Sequence, residues 1–197
     1  MKSSFSWKMR CSWFFSILLL LSVFPTGFAQ STPAAAPDKV EIRFVSRQMN
    51  VPVEGKFRKV KSTLAFDPAK PETAQARFNI DMDSIELGLE EAETEVKRPG
   101  WFNTAKYPTA SFVSSSVKLL SGGNFEVAGK LTIKGITRDV TAPVAVVPHP
   151  GSGSEATGTV KINRLDYKIG EGLWADTDTV ANEVQIKFKL ALPAAAK

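Results

Sequence analysis

The chain has 197 residues, with 25 Lys and Arg against 20 Asp and Glu, one histidine and one cysteine. So few thiols and imidazoles exclude a disulfide framework and a His/Cys metal cluster. The basic residues form no tract, which argues against nucleic acid as a partner.

Lys2, Lys8 and Arg10 open the chain, and no acidic residue precedes Asp38. An apolar run from Trp13 to Phe24 follows, broken by Pro25-Thr26-Gly27 before Phe28-Ala29-Gln30. This order predicts a secretory signal peptide over residues 1–29, cleaved after Ala29. The run is shorter than the about 20 apolar residues that a membrane-spanning helix needs. The leader takes three basic residues and Cys11 with it, leaving a mature chain of 168 residues with 22 basic and 20 acidic side chains and no thiol. That length suits one hydrophobic core. Residues 30–38, containing Ser31 to Pro37 (STPAAAP), read as a flexible linker, 39–192 as one domain and 193–197 as a flexible tail.

Within the domain, strand patterns dominate. Val40, Ile42 and Phe44 alternate with Glu41, Arg43 and Val45, and Val51, Val53, Gly55 and Phe57 with Pro52, Glu54, Lys56 and Arg58. Leu64 and Phe66 lead into a turn at Asp67-Pro68, and Ala76, Phe78, Ile80 and Met82 alternate with Arg77, Asn79, Asp81 and Asp83. A period of two puts each set on one face of a strand, with one face dry and one wet, as in an antiparallel sheet. The pattern breaks at Gly88 to Lys97 (GLEEAETEVK), which predicts one short helix that ends at Arg98-Pro99-Gly100. Strands resume at Ala110–Leu120, Asn124–Lys134, Ile136–Val147, Glu155–Ile169 and Val180–Leu192, separated by Gly122-Gly123, Lys134-Gly135, Pro148 to Ser154 and Gly170-Glu171-Gly172. About eight strands, short turns and one helix after the fourth or fifth strand define an all-β, closed or nearly closed antiparallel barrel. In the last strand Val184, Ile186, Phe188 and Leu190 share one face and Glu183, Gln185, Lys187 and Lys189 the other.

No catalytic constellation emerges. His149 sits between Pro148 and Pro150 in a loop and reads as solvent-facing, and no G-x-S-x-G, phosphate loop or dinucleotide fingerprint is present. Asp81, Asp83, Glu86, Glu90, Glu91, Glu93 and Glu95 form an acidic stretch that a divalent metal enzyme would use. The bland reading is stronger: Asp81 and Asp83 fall on the wet face of a strand, the glutamates surround a polar helix, and Asp176 and Asp178 read as turn residues.

The inward positions are richly apolar: Phe44, Val53, Phe57, Leu64, Phe66, Phe78, Ile80, Met82, Phe112, Phe125, Leu131 and Phe188. An eight-stranded barrel is either filled by such side chains or encloses a small apolar ligand, and alternation alone does not separate the two. Strands of about 10 to 12 residues span roughly 33–40 Å, which favours a long, narrow cavity over a compact one.

The segment Arg98-Pro99-Gly100-Trp101-Phe102-Asn103 through Tyr107-Pro108-Thr109-Ala110-Ser111-Phe112 resembles the YceI-like family. Gly129-Lys130-Leu131-Thr132-Ile133-Lys134-Gly135-Ile136-Thr137-Arg138 is similar to that family's G-x-L-T-[IL]-x-G-[VI]-T segment, and Gly55-Lys56-Phe57 and Gly172-Leu173-Trp174 add to the likeness. The resemblance implies an extended eight-stranded lipocalin-like barrel, a periplasmic location and an elongated apolar cavity for polyisoprenoid amphiphiles, including isoprenoid quinones. Trp101, Phe102 and Trp174 then join the inward residues as candidate lining, with Trp101-Phe102 and the helix at the mouth. No cofactor is required beyond a bound isoprenoid quinone or polyprenyl lipid. A cytochrome b561-like membrane protein, as encoded or fused with some members, and a second copy of the chain are the expected protein partners. A filled barrel that docks on such a membrane protein is the rival reading. The chain departs from the commonest family pattern: Glu93 to Gly100 and Ser46 to Asn50 carry no histidine where many members do.

Overall fold

A computed structural model describes residues 39–66, 70–149 and 153–192. The expected signal peptide, linker, Asp67-Pro68 turn and C-terminal tail lie outside the described residues. Ten strands form one antiparallel sheet: β1 (Lys39–Gln48), β2 (Val51–Phe57), β3 (Val60–Ala65), β4 (Gln75–Asp81), β5 (Ile85–Glu86), β6 (Thr109–Leu119), β7 (Asn124–Ile133), β8 (Ile136–His149), β9 (Gly153–Asn163) and β10 (Glu183–Leu192). The order across the sheet is β3-β4-β6-β7-β8-β9-β10-β1-β2-β5. One helix, α1 (Glu90–Lys97), follows β5.

Two hairpins show how sequence sets register. Gln48 pairs with Val51 and Ile133 with Ile136, so each loop is two residues long. Met49 and Asn50, and likewise Lys134 and Gly135, all have positive φ, the conformation whose twist matches that of the flanking strands.

The count of ten strands corrects the expected eight. Residues 51–65 and 75–86 are two long runs, each bent once, and the bends divide them into β2 and β3 and into β4 and β5. At the bend Arg58 N–H donates to the Ser84 carbonyl (3.1 Å), Lys59 N–H to Ser84 Oγ (3.1 Å) and Asp81 N–H to the Lys59 carbonyl (3.0 Å). Ser84 is buried there and its hydroxyl also donates to the Asp81 carbonyl. Because β2 pairs with β1 while β3 pairs with β4, one bent run links the two ends of the sheet. The sheet thus curls into a half-barrel, with no ladder between β1 and β3.

Three further expectations change. The strand expected over Glu155–Ile169 ends at Asn163, and the chain turns through Arg164–Tyr167. Val180 lies outside β10 and forms an isolated bridge with Gln48. Met82 belongs to a turn, Met82–Ser84, in which Asp81 accepts from the Asp83 N–H.

Candidate ligand cavity

The inward rows of the strands surround a cavity of about 560 Å³. On β10 five successive inward residues, Val184, Ile186, Phe188, Leu190 and Leu192, all line it. They cover about 27 Å along the strand at about 3.4 Å per residue. All fifteen residues singled out from the sequence border this one space: Phe44, Val53, Phe57, Leu64, Phe66, Phe78, Ile80, Met82, Trp101, Phe102, Phe112, Phe125, Leu131, Trp174 and Phe188. Aromatic pairs knit the wall, with Phe44 and Phe57 centroids 5.6 Å apart, Phe66 and Phe125 5.6 Å apart, and Phe78 stacked on Phe112 at 6.2 Å.

The two ends differ chemically. Toward the far end Val117, Phe125, Val144, Ala156, Leu190 and Leu192 form a buried apolar cluster, with Phe66 packed against them. The polar lining residues are Ser46, Gln48, Glu91, Glu95 and Arg164. Strand direction places Ser46, Gln48 and Arg164 together: β1 runs toward Gln48, antiparallel β10 starts there, and β9 ends there. Helix α1 joins them, presenting Glu91, Ala92, Glu95 and Val96 to the cavity.

This arrangement corrects the solvated reading for Glu93 and Glu95, which are partly buried and hydrogen-bonded, while Glu90 and Glu91 are exposed as expected. Ala92 and Val96 mark an inward stripe, and Glu91 and Glu95 lie beside it at helical spacing. Glu95 is partly buried, accepts from the Trp174 indole N–H at 3.2 Å and pairs with Arg98 at 3.0 Å. Glu93 serves the loop before the helix, accepting from the N–H groups of Leu87 (2.9 Å) and Gly88 (3.2 Å). The Leu87 hydrogen bond is the main reason its carboxyl is held below the usual range. Among the described residues, no group of three His, Cys, Asp or Glu side chains is placed to hold a metal ion.

After the helix the chain folds tightly, with Phe102 N–H donating to the Val96 carbonyl (2.9 Å) and Trp101 N–H to that of Arg98 (2.9 Å). The motif Arg98 to Asn103 thereby turns Trp101 and Phe102 into the cavity. Trp101 meets Trp174 at 5.5 Å between centroids, and its buried Nε1 has no hydrogen-bond partner among the described residues.

The residue that sequence reasoning missed is Arg164. It is 2 % exposed. Its guanidinium donates to the carbonyls of Ile169 (2.8 Å), Gly170 (2.9 Å), Trp174 (2.7 Å), Val180 (2.7 Å) and Ala181 (3.2 Å). Burial lowers its pKa. All five guanidinium N–H groups are accounted for, so Arg164 shapes the loop over residues 169–181 and has no donor left for a ligand. A sequence signal existed: in the inward row Ala156, Gly158, Val160, Ile162, the next position is Arg164. A charge at an inward position asks for partners.

A curled antiparallel sheet around an apolar cavity, with one helix at its polar end, defines a lipocalin-like fold. The model of the YceI-like domain matches residues 34–192, and the chain belongs to that family. A "UPF0312 protein" from Azotobacter vinelandii is 28% identical over 124 residues, 60% of this chain and 65% of that protein. "Protein YceI" from Escherichia coli O157:H7 is 30% identical over 125 residues, again 60% and 65%. The match thus spans just under two thirds of the length of these relatives. Among solved structures, Burkholderia cenocepacia BcnA is 42% identical with a TM-score of 0.74, covering 77% of this chain and 94% of that one. A polyisoprenoid binding domain from Saccharophagus degradans, implicated in plant cell wall breakdown, shares the fold at 17% identity and a TM-score of 0.64, covering 83% and 99%.

Proposed function

We propose that this protein is an exported, periplasmic carrier that sequesters an isoprenoid lipid or quinone, and that it catalyses no reaction. The carrying observation is the cavity: about 560 Å³, continuous along β10, apolar at one end and polar at the other. That volume lies within the roughly 300–1,000 Å³ typical of small-molecule sites. The polyisoprenoid binding domain that shares the fold supports the ligand class. The basic, then apolar, N-terminal segment supports export.

The mechanism is burial. The tail lies against Phe78, Phe112, Phe188 and the apolar far end, and the headgroup faces Ser46, Gln48, Glu91 and Glu95. Each buried CH₂ contributes about 0.8 kcal/mol, so several isoprene units offset the cost of ordering the ligand. Trp101 and Trp174 sit at the polar end and close over the headgroup. Titration of delipidated protein with quinones of increasing tail length tests this: affinity rises with each isoprene unit until the cavity is full. Affinity independent of tail length contradicts it. The rival reading, a filled barrel docking on a membrane cytochrome, is disfavoured by the size of the cavity.

A further inference from the structure

Three strands carry a glycine in the middle of an otherwise apolar inward row: Val53-Gly55-Phe57 on β2, Val127-Gly129-Leu131 on β7 and Ala156-Gly158-Val160 on β9, taking alternate residues. None of the three has positive φ, so backbone conformation does not require glycine there. Glycine inside a strand weakens it and often marks a close approach. Each of these has an aromatic ring in the place of its missing side chain. A Cβ on Gly55 would overlap the ring of Phe44, its direct partner across β1 and β2. A Cβ on Gly158 would overlap the ring of Phe188, its direct partner across β9 and β10. A Cβ on Gly129 would overlap the ring of Phe112, which reaches it diagonally from β6.

We propose that Gly55, Gly129 and Gly158 set the bore of the cavity by letting Phe44, Phe112 and Phe188 lie flat on the wall, and that this width admits a methyl-branched chain. Inward aromatic side chains that stand up from the strands of a small barrel fill it. Here three of them, from three separate parts of the wall, are laid into troughs only glycine provides, and the space they vacate is lumen. A straight chain needs little width, whereas a chain with lateral methyl groups needs it along its whole length. The inference rests on the carrier reading and adds the determinant of its chain selectivity.

Gly55→Ala is the cleanest test, because the three atoms nearest its Cβ all belong to side chains: two of the Phe44 ring, and Leu87 Cδ2 at 2.9 Å. At Gly129 and Gly158 it would also crowd backbone, the Val113 carbonyl at 2.6 Å and the Pro143 carbonyl at 2.8 Å. Delipidated protein is titrated with geranylgeraniol and with the straight-chain saturated alcohol of equal carbon number. Gly55→Ala lifts the Phe44 ring into the lumen, and the preference for the branched over the straight chain falls about tenfold, the discrimination a misfit methyl group carries in an apolar pocket. Gly55→Ala with Phe44→Leu regains the wild-type preference, which a glycine needed only for sheet curvature would not allow. An unchanged preference in Gly55→Ala, or no recovery in the double variant, overturns the bore assignment while wild-type binding leaves the carrier reading standing. Wild-type protein that binds neither alcohol overturns both.

Discussion

Trp174 donates its indole N–H to the Glu95 carboxylate at 3.2 Å, joining positions 79 residues apart in the chain. The bond latches the loop that Arg164 shapes onto the helix at the polar end of the cavity. Glu95→Ala removes the acceptor and leaves a partly buried indole N–H unpaired, at a cost of about 1 kcal/mol. Ligand release then speeds up about fivefold, the factor that 1 kcal/mol represents. Glu95→Gln keeps an acceptor oxygen and stays near wild type. Stopped-flow displacement of a bound fluorescent lipid, followed through Trp174 emission, checks both variants.

Arg164 tests the architecture beneath that latch. Arg164→Met orphans the carbonyls of Ile169, Gly170, Trp174, Val180 and Ala181 together, and costs at least about 3 kcal/mol of stability. Arg164→Lys recovers only part of it, since an ammonium offers three donors in place of a planar array of five. Urea unfolding curves of the two variants order them as Met below Lys below wild type. Equal stability of Lys and wild type contradicts the hub role.

Tyr167 gives an alkaline signature. It is 2 % exposed, its hydroxyl has no partner among the described residues, and burial pushes the phenol up to about 12. An unfolded tyrosine ionises near pH 10. From about pH 10 to about pH 12 the unfolded chain therefore releases a proton that the folded chain keeps, and stability falls as pH rises. Tyr167→Phe removes this slope and changes stability near neutral pH by no more than about 1 kcal/mol. Urea midpoints at about pH 8 and about pH 11 separate the outcomes. A variant as alkali-sensitive as wild type over that interval contradicts the assignment.

On the carrier reading, the apolar cluster at the far end of the cavity limits tail length. Ala156 is a small residue in that apolar floor, facing Leu190 across β9 and β10. Ala156→Phe fills part of the floor, at a packing cost of about 1–3 kcal/mol. Short-tailed ligands retain their affinity, and the gain per isoprene unit stops earlier in the series. Isothermal titration with a tail-length series reads this directly, and a uniform loss across all lengths contradicts it.

Much of this molecule was legible in alternation. The rows on β7 and β10 and the twelve inward residues from Phe44 to Phe188 follow from a period of two, because each inward side chain meets the same apolar space, whereas Trp101, Phe102 and Trp174 come from the family resemblance alone. The two bends were not legible. The inward phase slips from Phe57 to Val60 and from Met82 to Ile85, a shift that a strict period of two does not encode and that depends on Ser84 bridging two distant runs. Arg164 was hidden because its partners are backbone carbonyls, which every residue type supplies. The partly buried place of Glu95 is hidden in the sequence because the two small apolar residues that mark the helix's inward stripe, Ala92 and Val96, are outnumbered by charge.

The central claim is that the cavity holds a prenyl lipid. Mass spectrometry of solvent extracts from protein purified from its native host tests it most directly. The account predicts an isoprenoid quinone or polyprenyl lipid in near-stoichiometric amount, depleted in extracts of the Ala156→Phe variant for the longest tails. Repeated extracts free of any prenyl lipid, together with delipidated protein that takes up no added quinone, contradict it.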